Sequence, residues 1–264
     1  MEKIKTKNLL LSGDSWMHPR SPTDDEQSWY QEIFDSEKVT NLAVGSSGNK
    51  YIAESVMSYI LENPGVDHVF VNWSGLNRID VPIPLGVKAI EQDQASKDRT
   101  TSASRYWSNS PVGDCVVKPT GDRPIHEHID ERLVWFMYQE EGYTSVKNQS
   151  LISIINLQDF LRVRRIPYLF CFMYDYTNTD FDYDHITGST ATAVHPSLGS
   201  IRPDHPFLRE LDRSCCLEPA GLDWALTQDE DHFTDRSHLS QTGYRAWARE
   251  MLRQYNITKR SRQD

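Results

Sequence analysis

The chain has 264 residues, 38% of them hydrophobic and seven of them tryptophan, which suffices for one substantial core and makes a single domain the expectation. A formal net charge of −10 argues against non-specific binding to nucleic acid or to an anionic membrane, because phosphate groups would be repelled at long range. No apolar run approaches the length of a membrane-spanning helix, and the N-terminal apolar stretch is too short for a cleaved signal.

Residues 7–12 read as a short buried strand that ends at Gly13, with Asp14 and Ser15 in the turn that follows. A second apolar run, 39–44, closes on the Gly/Ser cluster 45–49. Residues 50–62 then carry Ile52, Val56, Tyr59 and Ile60 at helical spacing. Residues 67–73 make a third strand ending in the turn 74–77. Strand, turn and helix repeated in this way imply a parallel sheet flanked by helices.

Between about 80 and 128 the periodicity is lost in a polar stretch containing Pro82, Pro84, Pro111, Pro119 and Pro124, which reads as an insert. A long helical region, 129–165, is expected to break near Gly142. A fourth strand spans 166–174, a second loop-rich insert 175–222, and a closing helix 241–254. Residues 1–258 are thus expected to form one domain, and 259–264 a basic tail around Lys259, Arg260 and Arg262. Cys115, Cys171, Cys215 and Cys216 show no ligand-like spacing and read as reduced thiols.

Four short pieces carry chemistry, and each falls where an open α/β sheet places its site, at the carboxyl ends of strands. Ser15 sits in a strand-to-helix turn that exposes a hydroxyl and points its own N–H toward an anion, although Asp14 or Ser15 would also serve as a plain helix cap. The Gly-rich turn Gly45–Asn49 can aim a backbone N–H at a developing oxyanion, or can be an ordinary turn capped by Asn49. Asn77 can present a side-chain amide, though Asn is also a common turn former. Asp235 and His238, three residues apart, lie on one face if the segment is a helical turn, so that the carboxylate can orient the imidazole. Asp229 and His232 have the same spacing and form a rival pair.

The order of these pieces resembles the SGNH (GDSL) hydrolases, whose four blocks supply a nucleophilic serine, an oxyanion glycine, an oxyanion asparagine and an Asp-x-x-His pair. Ser15, Asn77, Asp235 and His238 match those blocks directly, over about 7–80 and 223–250. In the second block the family's glycine falls on Ser46, with Gly45 and Gly48 on either side, so Ser46 and Gly48 are both candidate donors. Trp16 replaces the usual Leu, and Arg78 stands where Asp is common. The His-Leu-Ser segment at 238–240, followed by Gly243 and Tyr244, resembles the closing block and favours His238 over His232.

The resemblance implies a three-layer, flavodoxin-like α/β/α fold with a mostly parallel sheet of about five strands. It also implies an acyl-enzyme esterase in which Ser15 attacks, His238 is the base and Asp235 orients it. The oxyanion would be held by the N–H of Ser15, a backbone N–H at 45–48 and the Asn77 amide. No cofactor or metal is expected, and His126 with His128 lacks a well-spaced third ligand. The expected partner is a small-molecule or glycan ester, and a carbohydrate O-acetylesterase is the favoured substrate reading. Trp29, Trp73 and Trp107 are groove candidates, with core packing the commoner fate. The second block and the insert resemble bacterial or tailed-phage members, which leaves a cytoplasmic or a phage-encoded protein as the expectation. The alternative is a non-catalytic carbohydrate-binding or virion module that keeps the fold.

Overall fold

The computed structural model describes residues 2–14, 16–17, 29–43, 47–76, 80–84, 115–119, 140–177, 201–225, 227–228, 233–235 and 238–260. Four parallel strands form the central sheet: β1 (Ile4–Gly13), β2 (Phe34–Asn41), β3 (His68–Trp73) and β6 (Tyr168–Phe172), in the order β2-β1-β3-β6. A parallel bridge between Phe170 and Cys216, with Leu217 N–H donating to the Phe170 carbonyl at 2.7 Å, adds the trace of a fifth position beside β6. The expected α/β class and parallel sheet are therefore present.

Register assigns the two faces. Leu10, Ser12, Val69, Val71 and Trp73 share one side with Phe170, whereas Leu9, Leu11, Gly13, Phe70, Asn72 and Cys171 share the other. Helix α1 (Asn49–Glu62) covers the first side, burying Ile52, Val56 and Ile60 as their spacing predicts, with helix α2 (Glu140–Arg164) packed beside it. The second side is covered by a 3-10 turn at Trp29–Glu32 and by helix α5 (Gln241–Arg260). The Trp29 ring meets Phe70 at 5.6 Å and Trp247 at 5.2 Å. Each large side chain buried in this way contributes about 1.5–3 kcal/mol.

Several sequence expectations are corrected. Helix α2 runs through Gly142 without a break, since one glycine costs a helix only about 1 kcal/mol. It stops instead at Arg165, where φ is 57° and Ile166 N–H donates to the Leu161 carbonyl at 3.0 Å. The Pro-rich insert contains an antiparallel ribbon, β4 (Asp80–Pro84) with β5 (Cys115–Pro119); a two-stranded ribbon is all edge and tolerates proline. Helix α5 extends to Arg260 and so takes in the start of the basic tail, where cations complement the helix dipole.

The second insert is only partly a surface feature. Its segment 201–222 carries helix α3 (Phe207–Glu210) and runs into helix α4 (Gly221–Ala225), and Ile201, Phe207, Leu217 and Leu222 are buried in the core. Among the described residues no helix is long and apolar enough to cross a membrane. Cys171, Cys215 and Cys216 are free thiols.

His68, at the amino end of β3, packs its ring on Phe34 at 5.1 Å, and its Nε2 is buried without a hydrogen-bond partner. Burial lowers its pKa to about 4, against 6.5 for a free imidazole. The unfolded chain therefore takes up a proton at a pH where the folded one does not, and stability is lost as pH falls from 6.5 toward 4. Thermal unfolding followed at pH 7 and at pH 5 should show a drop in midpoint that is smaller in His68→Gln.

Candidate active site

Because the four strands are parallel, the turns that leave β1 and β3 and the one that enters α1 lie at one end of the sheet. Ser15, Ser46 and Asn77 lie outside the described residues, as do Arg78, Trp107, His126, His128, Asp229 and His232. Asp14 and Trp16 on either side of Ser15, Ser47 after Ser46 and Leu76 before Asn77 are described, and each pair of turns is joined by buried hydrogen bonds.

The first turn begins where β1 runs tightly against β3. A Cβ on Gly13 would sit 2.8 Å from the Asn72 carbonyl and 2.9 Å from Met17 Cβ, so only glycine fits there. Asp14 is fully buried. Its carbonyl accepts from Met17 N–H at 3.1 Å, and its carboxylate Oδ1 accepts from Trp16 N–H at 3.0 Å. The side chain thus folds back on its own turn, a bond shared by Asx turns and helix-capping aspartates.

The second turn is tied to the first at two points: the Ser47 hydroxyl donates to the Gly13 carbonyl at 3.0 Å, and the Asn41 amide donates to the Met17 carbonyl at 3.0 Å. Gly48 takes the cap position of α1. Asn49, expected as that cap, is instead the first helical residue, and its buried amide crosses to the third turn. Its Oδ1 accepts from Ser74 N–H at 2.9 Å and its Nδ2 donates to the Ser74 carbonyl at 3.1 Å.

The third turn closes the triangle. The Ser74 hydroxyl donates to Asp14 Oδ2 at 3.1 Å, and the Asn72 amide approaches Asp14 Oδ1 at 3.4 Å. Beyond β6, Tyr176 donates to the Ser74 carbonyl at 2.5 Å, while Tyr174 Oη accepts from Leu76 N–H at 3.2 Å. Ser150 of α2 donates to the Leu76 carbonyl at 3.2 Å. Both backbone groups of Ser74 and both of Leu76, the residue before Asn77, are therefore held by side chains.

Asp235 and His238 are described through their backbone, and here the helical reading is corrected. They face each other as register partners across a short antiparallel pair, β7 (Phe233–Asp235) and β8 (His238–Leu239). Residues directly opposite in an antiparallel pair are neighbours, as residues three apart on a helix are, so the register keeps Asp235 and His238 adjacent along the backbone. Ser240 caps α5 immediately afterwards, its Oγ accepting from Gly243 N–H at 3.1 Å.

Aromatic packing joins the helix that follows β8 to the first turn. Trp16 is buried edge-on against Tyr244 at 5.5 Å and Trp247 at 5.6 Å, both on the first turns of α5. Trp29 and Trp73 are core residues and not groove linings. Asn41, Asn72, Ser74, Tyr174 and Tyr176 were not singled out by sequence reasoning, since nothing local distinguishes them from ordinary turn or core positions, and Asn49 was read only as a helix cap.

No family model and no curated protein matches the sequence. Similar solved structures include the Bacillus subtilis protein YxiM, at 10% identity and a TM-score of 0.46 over 97% of this chain; the match spans 58% of that protein. An acetyl xylan esterase, AlAXEase, is similar at 11% identity and a TM-score of 0.43, over 94% of this chain and 98% of its own. A GDSL-like lipase from Parabacteroides merdae is similar at 9% identity and a TM-score of 0.41, over 97% and 98%. At these TM-scores the likenesses carry no argument about the site, which rests on its turns.

Trp16 also defines a steric test. A Cβ on Gly221 would lie 2.5 Å from Trp16 Cζ3 and 3.1 Å from Trp247 Cζ2, inside a packed ring cluster. Gly221→Ala should cost about 1–3 kcal/mol of stability by overpacking, read as a lower midpoint in urea unfolding with an unchanged slope.

Proposed function

We propose that this protein is a serine esterase of the SGNH type that cleaves acetyl or similarly small acyl esters, with a carbohydrate ester as the favoured substrate. The observation that supports it is convergence. The residue before Ser15, the stretch that leads to Asn77 and the residue after Gly48 share one buried network, while the residue after Ser15 packs on the helix that follows His238. Turns at one end of any parallel sheet are near one another; what favours a site is that these stretches, in the order of a hydrolase's blocks, are tied together by buried side-chain hydrogen bonds and ring contacts.

In this reading Ser15 attacks the ester carbonyl as His238 takes its proton, and Asp235 holds the imidazole in the required tautomer and offsets its charge. The oxyanion that forms is met by the N–H of Ser15, a backbone N–H in 45–48 and the Asn77 amide, all set before the substrate arrives. The alcohol leaves with a proton returned by His238. Water, activated by the same base, then releases the acid. The polar composition of the 80–128 insert suits a hydroxylated leaving group better than a long acyl chain.

Ser15→Ala and His238→Ala should each lower kcat on p-nitrophenyl acetate by about 10⁴-fold or more, while His232→Ala should stay within about tenfold of the parent. The parent's rate should rise through one ionisation at about pH 6–7 that is absent in His238→Ala. A dead His232→Ala with an active His238→Ala would move the base to the Asp229 pair. A parent without hydrolysis and without Ser15 labelling by a phosphonate would make the protein a non-catalytic module.

A further inference from the structure

We propose that Asp14 is a positioning residue that locks the turn carrying Ser15 to the turn leading into Asn77, so that the two move as one body. The assignment of those residues as nucleophile and oxyanion donor rests on the esterase reading above; the mechanical coupling does not. The two carboxylate oxygens face different partners. Oδ1 receives Trp16 N–H from its own turn at 3.0 Å, and Oδ2 receives the Ser74 hydroxyl from the other at 3.1 Å. One rigid, planar group therefore spans the gap between the two turns.

The partners are themselves fixed. Ser74 is clamped through its N–H and carbonyl by the Asn49 amide and further by Tyr176, so its hydroxyl is the one group left to reach Asp14. Asn72, whose amide supports Oδ1 at 3.4 Å, has its own orientation set by Cys171, whose thiol donates to Asn72 Oδ1 at 3.3 Å. Asp14, Asn49, Asn72, Ser74 and Cys171 are all fully buried, so water does not compete for these bonds.

The chemistry distinguishes positioning by shape from positioning by charge. An asparagine at 14 keeps an oxygen for Trp16 N–H and Asn72, and turns an amide N–H toward Ser74, whose hydroxyl can rotate to accept it. An alanine offers nothing to either turn. Displacement of a nucleophile or donor by a fraction of an ångström lowers the rate of the chemical step and leaves ground-state binding nearly intact.

The test compares the full-length parent with Asp14→Ala, Asp14→Asn and Ser74→Ala. Turnover of p-nitrophenyl acetate is measured per site titrated with a fluorophosphonate, and hydrogen exchange is followed in segments 9–17 and 70–76. Asp14→Ala should lose about 100-fold in kcat per titrated site with KM within about threefold, and both segments should lose protection together. Asp14→Asn should restore kcat to within about tenfold and return protection to both segments. Should Asp14→Ala fail to fold, Ser74→Ala, which removes one hydroxyl and leaves the carboxylate, should still loosen both segments. A kcat per titrated site in Asp14→Ala equal to the parent's, or protection lost in segment 9–17 alone, would overturn the proposal. Were the parent inert toward both ester and phosphonate, the esterase reading would fall. Exchange would then decide the coupling by itself: joint loss upholds it, and loss in one segment or neither rejects it.

Discussion

A carboxylate with no exposed surface is an expensive thing to build into a fold, and Asp14 stands where the three turns at the carboxyl end of the sheet come closest. The cost is offset only if donors converge on it, and they arrive from its own turn through Trp16, from β3 through Asn72 and from the turn beyond through Ser74. Once Asp14 is in place, the rest of that end of the molecule has little freedom. Ser47 and Asn41 bind the second turn to the first, and Asn49 binds it to the third, so the three form a closed triangle. Each of these groups left without its partner would cost about 1–3 kcal/mol, which makes partial opening unfavourable and the arrangement cooperative.

The fourth piece of the site is held by different physics. Helix α5, which starts one residue after β8, is anchored by rings. Trp16 meets Tyr244 and Trp247 at right angles, Trp29 lies against both, and Trp247 Nε1 donates to the Pro219 carbonyl at 2.9 Å. Segment 217–225 is wedged into the same place: Gly221 lies against Trp16, and Leu222 N–H donates to the Met173 carbonyl at 2.7 Å. A tryptophan after the serine thus has a consequence beyond filling space, because its ring joins the first turn to the helix that follows His238.

How much of this was legible in the sequence follows from the range of each interaction. Strands β1, β3 and β6 and helix α1 were readable because apolar patterning is local: each strand is a short continuous apolar run, buried on both faces of a covered sheet, and the apolar residues of α1 recur at helical spacing. The order of the four short pieces was readable for the same reason. The Asp14–Ser74 and Asn49–Ser74 bonds join residues 60 and 25 positions apart, and the local signals at Asp14 and Asn49, which read as helix caps, do not name a distant partner. Proline content hid the β4–β5 ribbon, since proline argues against a strand unless the strand is an edge. The β7–β8 pairing was hidden because a spacing of three residues fits a helical turn as well as it fits two register partners of an antiparallel pair.

A phosphonate bound at the site would report on all of these constraints at once. In a crystal structure of the protein after reaction with a fluorophosphonate, phosphorus should be bonded to Ser15 Oγ. A non-bridging oxygen should then lie about 3 Å from the Asn77 amide and from a backbone N–H in 45–48, with the His238 imidazole turned toward Oγ. Phosphorus on another residue, or a Ser15 adduct whose oxygens face only solvent with Asn77 and His238 elsewhere, would contradict the reading of these turns as one catalytic site.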